Sequence, residues 1–350
     1  MLPDNLISIE AAETEFSKKC RGGRFSAPHP ASQTNNRICA APHSFRTQTI
    51  GLPPRVQFLS SIIVMSLPLA IDTKNPAAIG SFVQGAFNKI GAQNSAPLIT
   101  RLFSDVTAMF AGGHPGYQAS DMLYHDYEHT LAVTVCLIKL LEGHHNAGDQ
   151  PRLTIRDWEL ALMAVLLHDS GYLKTTDDRI GTGAKYTLTH ELRGGDFVRN
   201  YLPDLGVMPA EIDDICSAII CTGPQSKLRQ NIFPREEARL LASFLVTADC
   251  LAQMSAADYL DKLPILFLEF QEAYDFEQVA PADRNYRQLD ELFAGTPDFW
   301  ENYVRPLLDR DARGVHRYLT TAGQPNLYLQ AVEANVAEVS RRLQLSAGRK

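Results

Sequence analysis

From Pro76 to the end of the chain, apolar residues recur at i, i+3 and i+4, and strand-like alternation is scarce. This pattern predicts an all-α protein. Helices are expected over Ala77–Ile90, Pro97–Ala111, Tyr124–Gly143, Ile155–His168, Thr189–Tyr201, Pro209–Cys221, Arg235–Met254, Asp258–Phe276, Tyr286–Ala294, Phe299–Leu308, Asp311–Thr320 and Pro325–Leu345. Pro97, Pro209 and Pro325 fall at first-turn positions, where a missing N–H costs nothing. Thr154, followed three residues on by Asp157, forms a variant capping box.

One helix stands apart. Trp158-Glu-Leu-Ala-Leu-Met-Ala-Val-Leu-Leu167 is apolar almost all round, so other helices must surround it. It runs into His168-Asp169-Ser170-Gly171, with Gly171 suited to the C′ position. Two polar groups at the end of the most buried helix need partners, because an unpaired buried charge is costly. Asp249 poses the same question inside Leu245-Val-Thr-Ala-Asp-Cys-Leu-Ala-Gln-Met254. His125 and His129 lie four apart in Tyr124-His-Asp-Tyr-Glu-His129, and on a helix opening near Tyr124 they would share a face. Taken singly, each has a plain reading: surface histidines at a helix start, or a buried Asp bonded to a helix terminus. Together, His129, His168, Asp169 and Asp249 can hold a divalent cation with nitrogen and carboxylate ligands, with His125 nearby.

The order His129, His168-Asp169, Asp249 resembles the HD-domain superfamily of metal-dependent phosphohydrolases. The segment Tyr124–Thr130 is similar to the Tyr-His-Asn-x-x-His-Ala signature of class I cyclic-nucleotide phosphodiesterases. The resemblance covers roughly residues 100–275. It implies an HD-domain helical bundle with additional C-terminal helices. It also implies one or two divalent ions on His129, His168, Asp169 and Asp249, with Asp169 bridging if two bind, and His125 as general acid. Manganese, iron, magnesium, zinc and nickel all suit such ligands. Two positions depart from the phosphodiesterase pattern: Asp126 replaces Asn, and Tyr172 stands where a histidine is expected. His190, in His190-Glu-Leu-Arg-Gly194, resembles the subfamily that hydrolyses cyclic dinucleotides, but the later His-His pair is missing from Ile219-Ile-Cys-Thr-Gly223. His190 is therefore a ligand to a second metal, a residue behind the ligands, or a helix-cap histidine. Lys174, Lys185 and Arg193 are candidate phosphate partners, each against a solvated surface role. Gln253, Gln271 and Gln288 could each read a base edge.

The function these features imply is hydrolysis of a phosphoester in a small phosphorylated substrate, a nucleotide or cyclic nucleotide, by metal-activated water. A non-catalytic HD module that binds metal or nucleotide, or an HD-type di-iron oxygenase, are the alternatives. Composition narrows the partners. The chain carries a formal net charge of −7, so no global basic field favours a nucleic acid duplex or an anionic membrane. The apolar run Phe58–Ile71 is shorter than the roughly 20 residues a spanning helix needs. The six cysteines include no C-x-x-C pair, which fits a cytoplasmic, reducing setting.

The first 64 residues differ in kind. Phe16 to Val64 holds seven basic residues and no Asp or Glu. It reads as a targeting peptide, a disordered tail, or sequence upstream of a start at Met65. Residues 65–279 are expected to form the hydrolase domain. Residues 280–350 are expected to form a helical extension packing on it, with a homodimer contact as the alternative.

Overall fold

The computed structural model describes residues 71–223, 228, 230–320 and 324–347, with side chains to 345. The readings of residues 1–64 lie outside the described residues. Among those residues the protein is all-α, with no strand. One isolated antiparallel bridge joins Tyr117 to Thr175.

Ten α-helices follow one another: α1 (Pro76–Lys89), α2 (Ala96–Phe110), α3 (Tyr127–Ala147), α4 (Ile155–Leu167), α5 (His190–Tyr201), α6 (Pro209–Ile220), α7 (Glu236–Met254), α8 (Tyr259–Phe276), α9 (Leu289–Phe299) and α10 (Leu327–Ala347). The pair α3 and α7 forms the spine, and α4 packs on both. As its composition requires, α4 is enclosed: every residue from Leu160 to Leu167 is buried. Its capping box forms, with the Thr154 backbone and hydroxyl both donating to Asp157. Arg235 then bridges Asp157 at 2.6 Å and Asp214 of α6 at 2.8 Å, tying α4, α6 and the start of α7 together.

The expected helix starting at Tyr124 begins later. Asp126 is its N-cap, with extended backbone, and its carboxylate accepts the His129 backbone N–H at 2.8 Å. Asp126 does here what the expected Asn would do, since both side chains cap well. The helices expected over Phe299–Leu308 and Asp311–Thr320 also differ. The first continues from α9 as two π-type turns, Trp300–Val304 and Leu307–Asp311, and the second is a 3₁₀ segment, Val315–Leu319. Pro306 lies between the π turns and has no N–H to give to an α-helical ladder. The last helix, α10, packs on α7, α8 and α9 through Val332 and Val339, and Asn335 donates to the carbonyls of Met254 and Ala256.

No single described helix is long and apolar enough to cross a membrane. The pair α7 and α8 would pass by composition together, but it is bent by 111° and much of it is core.

Candidate metal centre

Three elements bring four side chains to one point. His129 lies in the first turn of α3, His168 and Asp169 end α4, and Asp249 lies in the second half of α7. Nε2 of His129 is 3.2 Å from Oδ1 of Asp249 and 3.5 Å from Oδ2 of Asp169. Nε2 of His168 is 3.3 Å from that same Asp169 oxygen and 3.9 Å from Asp249 Oδ1. Bonds of about 2.1 Å to a divalent ion set neighbouring ligand atoms about 3.0–3.4 Å apart in octahedral or tetrahedral geometry. The spacing is therefore that of a ligand cage.

The hydrogen bonds of the site fit a cation there. Nδ1 of His168 lies 2.8 Å from the Val165 carbonyl oxygen. A carbonyl only accepts, so Nδ1 carries the hydrogen and neutral His168 turns a lone pair on Nε2 inward. That lone pair faces Asp169 Oδ2, and both atoms are buried with no hydrogen-bond partner. Two bare acceptors this close in a buried site repel unless a cation lies between them. Burial pushes the Asp169 pKa up, so with His168 neutral it is positive charge from the other histidines around it, or from a cation, that keeps the carboxylate ionised.

His190 joins from the other side. Its Nδ1 lies 2.9 Å from the Thr187 carbonyl, and its Nε2 lies 3.9 Å from Oδ1 of Asp169. Asp169 thus offers one oxygen to the His129–His168 side and the other to His190. The approach depends on Gly171. A β-carbon there would overlap the His190 carbonyl and stand 2.7 Å from the Gly194 nitrogen, forcing α5 off the turn that follows Asp169. Tyr172 in that turn stacks on His190 at 4.5 Å and on His125 at 4.8 Å between ring centroids.

His125 reaches the site from outside the helix, because the Asp126 cap breaks the expected i, i+4 register with His129. Its ring lies 5.8 Å from that of His129. Nδ1 of His125 is 2.7 Å from Oε2 of Glu269 on α8, and Oε1 of the same carboxylate accepts the backbone N–H groups of Leu123 and Tyr124. Burial alone would lower the His125 pKa. The Glu269 charge and hydrogen bond outweigh it, with Asp169 and Asp249 adding to them, and raise it to about 9.

The expected phosphate partners are turned elsewhere. Lys174 pairs with Asp121 at 2.7 Å and donates to the Gly181 carbonyl. Buried Lys185 is held by Asp178 and the Ile180 carbonyl. Arg193 donates to the carbonyls of Gly171 and Leu173 and lies over the Tyr186 ring. All three fasten the loop 174–186 and its neighbours.

A cavity of ≈ 320 Å³ opens beside His129, with Tyr124, Gln253, Tyr259, Lys74 and Lys262 on its wall. Gln253 is the one of the three glutamines that reaches it, and its Oε1 accepts from the Tyr124 hydroxyl at 3.0 Å. Gln271 is bound to the Tyr286 carbonyl and Arg284, and Gln288 caps α9.

Residues 106–192 match the family model described as Npun_R2479-like. The matched stretch contains His125, His129, His168, Asp169 and His190, and it ends before Asp249 and Glu269. No curated protein and no solved structure matches the chain.

Sequence reasoning did not single out Glu269, Lys74 or Lys262. For Glu269 a signal exists: it is a lone charge in Leu266-Phe-Leu-Glu-Phe270, and the structure leaves it only 5% exposed. Lys74 and Lys262 have no such mark, because their positions on the cavity wall depend on how α7, α8 and the start of the described chain meet.

Proposed function

We propose that this protein is a metal-dependent phosphoester hydrolase acting on a small phosphorylated substrate, a nucleotide or cyclic nucleotide. The observation that carries the reading is the inward-facing pair of bare acceptors, His168 Nε2 and Asp169 Oδ2, closed by His129 and Asp249. His129, His168, Asp169 and Asp249 would hold the ion, and Asp169 Oδ1 with His190 offers room for a second. A divalent ion held there would supply positive charge to a phosphoryl oxygen and lower the pKa of a water.

The chain's own residues supply the rest. His125 carries a proton at neutral pH because Glu269 holds it from behind, so it can protonate a leaving oxygen. Glu269 also fixes the backbone of Leu123 and Tyr124, which positions His125. The cavity beside His129 is of the size that takes a small ligand. Lys74 and Lys262 stand on its wall beside the carboxylates of Glu128, at 3.9 Å, and Asp258, at 3.5 Å, and the Gln253 amide and tyrosine rings suit a base.

His190 adds a fourth histidine near Asp169, which favours the di-iron oxygenase as the second reading. The deciding experiment is metal analysis joined to two assays. Nitrophenol release from bis-p-nitrophenyl phosphate, phosphate release from nucleoside monophosphates and ring opening of cyclic nucleotides to nucleoside monophosphates would be measured, and oxygen consumption would be followed in parallel. Metal-dependent hydrolysis lost in Asp169→Ala supports the proposal. Hydrolysis that survives Asp169→Ala, or oxygen consumption without hydrolysis, rejects it.

A further inference from the structure

A second cleft, of ≈ 390 Å³, lies at the other end of the α3–α7 spine. Arg239, Arg313 and Arg317 line it together with Ser243 and Tyr318, and Glu236 is the one carboxylate on its wall. Arg239 and Asp249 share α7 but stand about 15 Å apart along it, at about 1.5 Å per residue. The cleft is therefore separate from the metal centre.

Each guanidinium is placed with some care. Arg239 donates to the carbonyls of Leu228 and Asp311 at 3.1 and 3.2 Å, bonds that fix the group without neutralising it. Arg317 donates to the carbonyls of Arg313 and Gly314 and to the Tyr318 hydroxyl. Arg313 adopts φ +57°, a left-handed conformation that side chains other than glycine seldom take. Strain of that kind gathers at ligand clamps. The wall is also anchored: Gly143 of α3 packs so tightly on the Tyr318 carbonyl that a β-carbon there would overlap it.

The carboxylates nearby do not close the cleft. Arg313 pairs with Glu236, and Arg317 with Asp149 at 3.3 Å, but both pairs have side chains about half exposed. Such pairs hold weakly in water, and a doubly charged anion competes well for their guanidinium groups.

We propose that this cleft is a binding site for a small phosphorylated anion, held by Arg239, Arg313 and Arg317 and independent of the metal centre. The test uses the full chain stripped of metal with EDTA, and calorimetric titration with inorganic pyrophosphate at fixed ionic strength. The expected result is saturable binding that weakens at least about tenfold in Arg313→Gln/Arg317→Gln and is unchanged in His168→Ala/Asp169→Ala. If circular dichroism shows the arginine double variant unfolded, Arg313→Gln alone decides, since that side chain is 57% exposed. Absence of binding overturns the site. So does binding that the arginine substitutions leave intact, or binding that disappears with the metal ligands.

Discussion

Glu269 Oε2 lies 2.7 Å from Nδ1 of His125, although the two residues are separated by 144 positions in the chain. One carboxylate therefore orients the histidine, raises its pKa to about 9, and fixes the two backbone amides that precede it.

The pair sets a pH dependence. Because the folded-state pKa is raised above 6.5, its stabilisation is fully present below pH 6.5 and is lost as pH rises through about 9. The protonated, proton-donating form persists over the same range. Glu269→Gln keeps an oxygen for the backbone amides but removes the charge. The alkaline limb of the kcat–pH profile should then move to lower pH, because the largest influence raising the His125 pKa is gone. An unmoved limb would show that His125 is not the titrating donor.

Metal binding and proton donation should separate by mutation. His168→Ala or Asp169→Ala should remove bound metal, measured by elemental analysis, together with hydrolysis. His125→Ala should keep the metal and slow turnover about 10²–10⁴-fold, with the largest loss for poor leaving groups. Equal losses for good and poor leaving groups would argue against the proton-donor role.

Gly171→Ala should damage the fold and the site at once. The new methyl meets the His190 carbonyl and the Gly194 nitrogen, and overpacking of this kind costs about 1–3 kcal/mol. Chemical denaturation should show that loss, and metal affinity should fall because His190 moves away from Asp169. A variant as stable as the parent would mean the turn can shift freely.

Asp126 tests the helix start. Asp126→Asn should leave stability within a few tenths of a kcal/mol, while Asp126→Ala should lose about 1 kcal/mol by removal of the cap on the His129 N–H. Urea midpoints compare the two directly. Equal midpoints for Asn and Ala would show that the cap contributes nothing.

These tests also divide what is local from what is not. The burial of α4 is readable in the sequence because ten nearly continuous apolar positions leave no face for water. His168-Asp169 at its end, and Asp249 in another apolar helix, are readable for the same reason: each is a polar group whose surroundings are already specified as dry. The register at His125 is not readable with equal safety. Asp126 can sit inside a first turn or cap it, and the choice shifts the helix start by three residues. The roles of Lys174, Lys185 and Arg193 are likewise open to a reader of the chain. A cation beside a loop has the same pattern whether it meets substrate or, as here, carbonyls and carboxylates of its own loop.

By itself, then, the sequence determined an all-α chain, its most buried helix, and the four residues His129, His168, Asp169 and Asp249 as a group. Periodicity reports which side of a helix faces away from water, and a polar residue on that side needs a partner. Only the tertiary structure decided which partner. It placed Glu269 behind His125, set Tyr172 against both His125 and His190, and turned His190 toward the second oxygen of Asp169. Those relationships depend on how α5 packs on the turn after α4 and how α8 packs on the segment Gly183–Tyr186, a matter of packing between surfaces that no local pattern encodes.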